Sequence, residues 1–289
     1  MIKVVAEIGC NHKGDFDIAK EMIATAANFS KVDVVKFQKR HVPTLLTRTQ
    51  FEAPHPNPEY AYGASYGEHR EALEFSVEQH RELQHVCAQN KVDYSCSVWD
   101  EVSAQQIASL RPALIKVPSA SNLNERLLDV LTQAYDGEIH LSLGMTTRAE
   151  EDGIVDLFLS KGRAKDLVLY ACTSAYPVAF DDLCLGEIPR LKLKFGSIVK
   201  AIGFSGHHNG ISADIAALTL GAEWIERHLT LDRTWRGTDH AASLEPDGLR
   251  RLCRDLRSVS KALRPKWKDI LDVEQAQRLK LKWERAADA

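Results

Sequence analysis

Absences narrow this 289-residue chain first. No apolar run approaches the length of about 18 residues that a membrane helix needs. The start, MIKVVAEIGC, passes straight into a strand-like run, so neither a membrane span nor a signal peptide is expected. A basic block is missing too. The 37 lysines and arginines face 40 carboxylates for a formal charge of −3, which argues against nucleic acid or an acidic membrane as a partner. Six cysteines (Cys10, Cys87, Cys96, Cys172, Cys184, Cys253) form no CxxC pair and are expected to be reduced thiols of a cytoplasmic protein. No GxGxxG follows the first strand-like run, so the fingerprint of a dinucleotide-binding sheet is missing. Low-complexity segments are also lacking.

What is present alternates. With 44% hydrophobic residues the chain can bury a full core. Strand-like runs fall at Val4–Ile8, Val32–Phe37, Val92–Ser97, Leu114–Val117, Ile139–Leu143, Leu167–Ala171, Ile202–Phe204 and Trp224–Leu229. Helical spacing marks Ile18–Ala27, Val77–Gln89, Ser103–Leu110, Glu125–Ala134, Glu150–Leu159 and Ile211–Leu220, with a last helix near Asp247–Leu263. Ser76 with Gln79, and Thr147 with Glu150, read as capping boxes. Asp181–Phe195 has the poorest helical pattern because it carries Pro189. Eight strand–helix pairs at this length predict an α/β fold, a single-domain (β/α)8 TIM barrel over residues 1–263. The connection from 41 to 75 is too polar and turn-rich for one helix and is expected to be a lid or specificity loop. Residues 264–289 read as a charged, partly helical tail.

In such a barrel the chemistry sits at the carboxyl ends of the strands. There the sequence places Glu7 with Asn11 and His12, Lys36 and Gln38, Ser97, Lys116 and Ser119, Ser142, then Thr173, Ser174 and Tyr176. The stretch from Ala201 to Pro246 is the densest: one strand delivers Ser205, His207 and His208, the next Glu226 and His228, and Asp239 follows. Lysines inside apolar strands (VVKFQ, ALIKVPS) are costly to bury unpaired, so each needs an anionic ligand or a carboxylate. His207 and His228 read equally as metal ligands or as hydrogen-bonded core histidines. Lys36 and Lys116 fit an anion cradle, a structural ion pair or a Schiff-base lysine. Glu226 falls on the strand face of His228, free to join it or to pair with Arg227 or a lysine across the barrel.

Eight segments in order, AEIGCNHKGD, VVKFQ, YGEHREALEFS, IKVPSAS, LSLGM, CTSAYP, FSGH and ERHLTLDRTWRGTDHAASLEP, resemble the sialic acid (nonulosonate) synthases over almost the whole chain. Gly206, where the bacterial pattern carries Asp, the long YGEH loop and TWRGTDH look like the animal-type 9-phosphate branch. The resemblance implies condensation of phosphoenolpyruvate with a mannose-type aldose: N-acetylmannosamine, mannose or a 6-phosphate of either. The product is a 2-keto-3-deoxy sugar acid, sialic acid or Kdn, free or as a 9-phosphate. It also implies a homodimer and a divalent cation, Mn²⁺ first with Mg²⁺ or Co²⁺ as alternatives, held by His207 and His228. Glu7, Lys36, Lys116, His207, His228 and Asp239 are then the catalytic set. Gln38, Ser97, Ser119, Ser142, Ser174, Tyr176, Ser205 and Arg70 bind substrate. Lys39, Arg40, His69 and Arg70 are candidates for an acceptor phosphate. The chain stops where the family's small antifreeze-like domain would begin, which keeps the C2 substituent of the acceptor open. Two other readings stand beside this one: an aldolase or 3-deoxy-sugar acid synthase with a different aldose, and a non-catalytic barrel that binds a sugar acid.

Overall fold

A computed structural model describes residues 2–283. Eight parallel strands, β1 (Lys3–Gly9), β2 (Val34–Lys39), β3 (Asp93–Val98), β4 (Leu114–Val117), β5 (Glu138–Ser142), β6 (Leu167–Cys172), β7 (Ala201–Gly206) and β8 (Trp224–His228), pair in chain order, and β8 returns to β1 to close a TIM barrel. Closure leaves no sheet edge. Each expected strand is present, with ends displaced by at most two residues.

Alternation along each strand divides the side chains between two layers. On β1, Val4, Ala6 and Ile8 join the shell core beneath the helices, whereas Val5 packs inside the barrel with Val34 and Leu114. One step further along the inward row stands Glu7, buried at the cavity end. β2 repeats this: Val35 and Phe37 go outward, while Val34, Lys36 and Gln38 go inward. Register then brings inward residues level: Glu7 lies beside Lys36, Ser97 beside Lys116, Ser205 beside Glu226, and His228 beside Glu7.

The helices follow in order. α1 (Phe16–Ala24) runs on into a π-turn, Thr25–Ser30, that ends at Lys31 in the left-handed region, so the expected helix to Ala27 changes pitch. The connection from 41 to 75 folds into three short helices, α2 (Val42–Leu45), α3 (Arg48–Glu52) and α4 (Tyr66–Ala72). α5 (Val77–Gln89), α6 (Glu101–Ser109), α7 (Glu125–Ala134), α8 (Arg148–Ser160), α9 (Glu187–Phe195), α10 (Ser212–Thr219) and α11 (Pro246–Ala262) complete the outer ring. Both expected capping boxes form, Ser76 with Gln79 on α5 and Thr147 with Glu150 on α8. Pro189 sits in the first turn of α9, where its missing N–H has no intrahelical partner to lose. In the tail, α12 (Asp272–Leu281) buries none of its residues. Among the described residues no helix is long and apolar enough to cross a membrane.

Two strand-end residues have structural employment. Asn11 donates to the Leu229 carbonyl (2.7 Å) and to Ser243 (2.9 Å), tying the start of the β1–α1 loop to the segment after β8. His12 stacks on Phe75 at 4.2 Å, and neither residue lines the main cavity.

Burial holds the His12 and His80 imidazoles down to a pKa of about 3, from an ordinary 6.5, and His140 to about 4. Between these values and pH 6.5 the unfolded chain takes up protons that the folded one refuses, so acid favours unfolding. Stability is therefore expected to fall as pH drops from 6.5 to 5, by up to about 1.4 kcal/mol per pH unit for each such histidine. Thermal melts across this range check it; a melting temperature that rises toward pH 5 would contradict it.

Candidate active site

A cavity of about 250 Å³ opens at the carboxyl ends of the strands. It collects nearly all the inward strand-end residues expected from the sequence: Glu7, Lys36, Gln38, Ser97, Lys116, Ser119, Ser142, Ser174, Tyr176, Ser205, His207 and His228. Arg70 and Asp239 line a second chamber of about 430 Å³ with Arg40, Asn57, Tyr60 and Thr238. Gln38, Trp99, Tyr176 and His228 border both, so His228 stands where the two meet.

The inner chamber is built on paired charges. Lys116 donates to both oxygens of Glu226, at 3.1 and 3.0 Å, across 110 residues of sequence. Ser205 donates to the same carboxylate at 3.0 Å. Lys36 pairs with Glu7, lies 3.6 Å from Glu226, and donates to Ser97 at 2.6 Å. Burial drives the Lys36 ammonium toward neutrality, but Glu226 and Glu7 outweigh it and raise its pKa. For Lys116 burial wins and the pKa falls, despite Glu226. Burial likewise opposes the Glu226 charge, and the two lysines overcome it, holding the carboxyl ionised. Two cations and two anions therefore leave this chamber without net charge.

Ser119 accepts from the Gly144 N–H at 3.1 Å, which fixes its hydroxyl beside the loop after β5. Asn122 donates to the carbonyls of Ser142 (2.9 Å) and Gly144 (3.3 Å), pinning the same loop from the other side.

His207 follows β7 and His228 ends β8, with ring centroids 5.4 Å apart. Burial, helped by the neighbouring His228, lowers the His207 pKa to about 3, so its imidazole is neutral. Its Nδ1 faces the Thr173 carbonyl at 3.4 Å, which leaves Nε2 as the free acceptor. His228 Nδ1 is buried without a hydrogen-bond partner among the described residues. Two imidazoles this close, one with an orphaned nitrogen, fit a shared divalent ion. Among the described residues no group of three or more histidine, cysteine or carboxylate donors gathers, so water or substrate oxygens would complete the coordination. His208 turns the other way, toward the buried Arg227–Asp214 pair outside the barrel.

In the outer chamber a relay fixes the polar groups. Glu74 accepts from the Arg40 N–H at 2.8 Å and pairs with the Arg40 guanidinium at 3.5 Å. Arg40 stacks on Trp99 at 3.9 Å and donates to the Gln38 carbonyl oxygen. The Gln38 amide, so oriented, donates to Glu7 at 2.7 Å. Burial acts to raise the Asp239 pKa, but His228, Thr238, Arg40 and Arg70 outweigh it and the carboxyl stays ionised.

Of the four candidates for an acceptor phosphate, three are unsuited. Lys39 is buried against Glu74 (3.3 Å), and His69 is buried and held near a pKa of 4 by desolvation and by Arg70. Arg40 is neutralised by Glu74. Arg70 donates Nε and Nη2 to the Tyr66 hydroxyl at 3.0 and 2.7 Å and makes no ion pair among the described residues. Trp99 was not expected in the site. Trp99 lies two residues past Ser97, on the same alternation, and that spacing is the signal that could have found it.

A closed parallel barrel with a cavity of paired charges at the carboxyl ends of its strands is the architecture of the TIM-barrel enzymes. The chain belongs to the NeuB family, which it matches over residues 22–268. It is 37% identical to the N-acetylneuraminate-9-phosphate synthase of Mus musculus, over 94% of this chain and 74% of that protein. It is 32% identical to the N,N'-diacetyllegionaminic acid synthase of Campylobacter jejuni, over 90% and 77%. Among solved structures, the N-acetylneuraminic acid synthetase of Leptospira borgpetersenii superposes with a TM-score of 0.80 at 26% identity, covering 98% of this chain and 93% of that one. A 3-deoxy-D-arabino-heptulosonate 7-phosphate synthase from Thermotoga maritima shares the fold alone, with a TM-score of 0.66 at 14% identity over 91% and 87%. These relatives are synthases of sialic acid and related sugar acids, so this chain is a sialic-acid-synthase-type transferase of carbohydrate biosynthesis.

Proposed function

We propose that the chain condenses phosphoenolpyruvate with a mannose-type aldose carrying a 6-phosphate, in a reaction that needs a divalent cation, Mn²⁺ before Mg²⁺ or Co²⁺. C3 of phosphoenolpyruvate bonds to the aldehyde carbon, whose oxygen takes up a proton. Water adds at C2, phosphate leaves, and a 2-keto-3-deoxy sugar acid 9-phosphate of the sialic acid or Kdn type remains.

The observation that carries this reading is the division of the site at His228. The inner chamber supplies Lys36, Lys116 and serine hydroxyls for the phosphate and carboxylate of phosphoenolpyruvate. The outer chamber supplies Asp239, Gln38 and Arg70 for a polyhydroxyl acceptor with an anionic end. Bound at His207 and His228, the cation would polarise the aldehyde oxygen between them. Charge supports the same reading: Glu7 and Glu226 already balance the two lysines, so an anion of two or more charges calls for another cation nearby. Glu7, held by Lys36 and Gln38, is the carboxylate positioned to handle protons at the reacting carbons.

A Schiff-base aldolase needs a lysine free to attack a carbonyl, and here both lysines are clasped by carboxylates. Borohydride in the presence of substrate is expected to leave activity intact; covalent trapping on Lys36 or Lys116 would favour the aldolase.

Two acceptor-side outcomes test the assignment. Asp239→Asn is expected to raise KM or lower kcat for the acceptor by about tenfold to a hundredfold, with KM for phosphoenolpyruvate within about twofold. Equal damage to both substrates would remove Asp239 from the acceptor. Arg70→Ala is expected to erase any preference for a 6-phosphorylated aldose over its free form; a preference that persists unchanged would remove the phosphate from Arg70. The proposal includes a cytoplasmic homodimer, the state the family resemblance implies, checked by light scattering of the purified chain.

A further inference from the structure

Tyr170 lines neither chamber, yet the inner chamber rests on it. It is buried on β6, one register step behind the cavity, and the Lys116 ammonium stands 3.6 Å above the centre of its ring. The same ammonium donates to both oxygens of Glu226, at 3.0 and 3.1 Å. An ammonium enclosed this way has its underside on an aromatic face in place of water, which favours the charged form and fixes its height in the barrel.

The ring is itself held. Its hydroxyl meets His140 Nδ1 at 2.8 Å, and the His140 ring packs edge-on against Trp224 at 4.5 Å. Tyr170 pairs with Gly203 on β7, and a Cβ at that glycine would stand 2.7 and 2.8 Å from two ring carbons of Tyr170. The missing side chain at 203 is the space in which the ring lies. Gly203 has no left-handed backbone angle to explain it, so close approach is the physical reason for a glycine there.

We propose that Tyr170 is a positioning residue for phosphoenolpyruvate: its ring is the floor that holds Lys116 at the height where the ammonium meets the ligand's anionic groups, and Gly203 keeps that floor in place. The inference rests on the functional reading above, in which Lys116 faces phosphoenolpyruvate. It separates ring from hydroxyl, since the ring carries the cation and the hydroxyl only orients the ring.

Calorimetric titration of the full chain with phosphoenolpyruvate, and separately with a mannose-type acceptor, tests it. Tyr170→Phe keeps the ring and is expected to bind phosphoenolpyruvate within about twofold of the native protein. Tyr170→Leu is expected to weaken it by about tenfold or more, with acceptor affinity little changed. Gly203→Ala, which leaves every ionisable group in place, is expected to shift phosphoenolpyruvate affinity in the same direction by several-fold. A purely structural tyrosine would damage both ligands alike, and that result overturns the inference. So does a folded Tyr170→Leu protein that binds phosphoenolpyruvate normally, or a Tyr170→Phe protein as impaired as the leucine variant. If Tyr170→Leu does not fold, Gly203→Ala decides: unchanged phosphoenolpyruvate affinity there overturns it. A native protein that binds no phosphoenolpyruvate removes the functional reading and this inference with it, whereas native binding with unaffected variants removes this inference alone.

Discussion

His228→Ala protein is expected to lose metal-supported turnover, with kcat down by about three orders of magnitude or more, and to bind Mn²⁺ too weakly to detect beside the native protein. The residue borders both chambers, ends β8 one step from Glu226, and carries a buried Nδ1 with no partner among the described residues. An unpaired buried nitrogen is a standing penalty of about 1–3 kcal/mol unless something binds to the ring. His207→Ala is expected to behave likewise, because its neutral imidazole aims Nε2 away from the Thr173 carbonyl. Metal titration by calorimetry reads the loss independently of turnover. If either variant keeps near-native activity and metal affinity, that histidine is a core residue and not a ligand.

Lys116→Met protein is expected to lose both stability and phosphoenolpyruvate binding, and the two losses can be separated. Removing the ammonium strips Glu226 of its closest partner, leaving only Lys36 at 3.6 Å and the Ser205 hydroxyl. Breaking a buried pair from one side costs about 3–5 kcal/mol, because a charge is left without compensation. Adding Glu226→Gln to Lys116→Met removes that charge and is expected to restore much of the stability, as measured by denaturant unfolding. It is not expected to restore phosphoenolpyruvate affinity, since the cradle has lost its cation. A double variant that regains binding along with stability would show that Lys116 serves the barrel and not the ligand.

The barrel was legible because eight strand-like runs alternate with helical stretches along the chain. Polar residues fall at the carboxyl ends of those runs, and a parallel barrel gathers such ends at one face. Thus Lys36, Lys116, His207 and His228 could be named before their distances were known. Who pairs with whom was not legible. Glu226 lies 110 residues from Lys116, and only closure of β8 onto β1 brings the two together across the barrel.

The connection from 41 to 75 was half-read. Its local signals were present: Thr47 with Gln50 and Ser65 with Glu68 form capping boxes that start α3 and α4. The turn residues between them masked those starts. Arg70 stood out among the basic residues only once Glu74 was found to hold Lys39 and Arg40, a contact that depends on where the 41–75 connection folds back.

The most direct measurement is phosphate release and 2-keto-3-deoxy acid formation from phosphoenolpyruvate. The acceptors are N-acetylmannosamine, mannose, their 6-phosphates and arabinose 5-phosphate, each with Mn²⁺ and with EDTA. The expected result is stoichiometric phosphate and keto acid with a mannose-type 6-phosphate, abolished by EDTA and restored by Mn²⁺. Turnover that survives EDTA, or no phosphoenolpyruvate consumed with any acceptor, would contradict a metal-dependent condensation at this site.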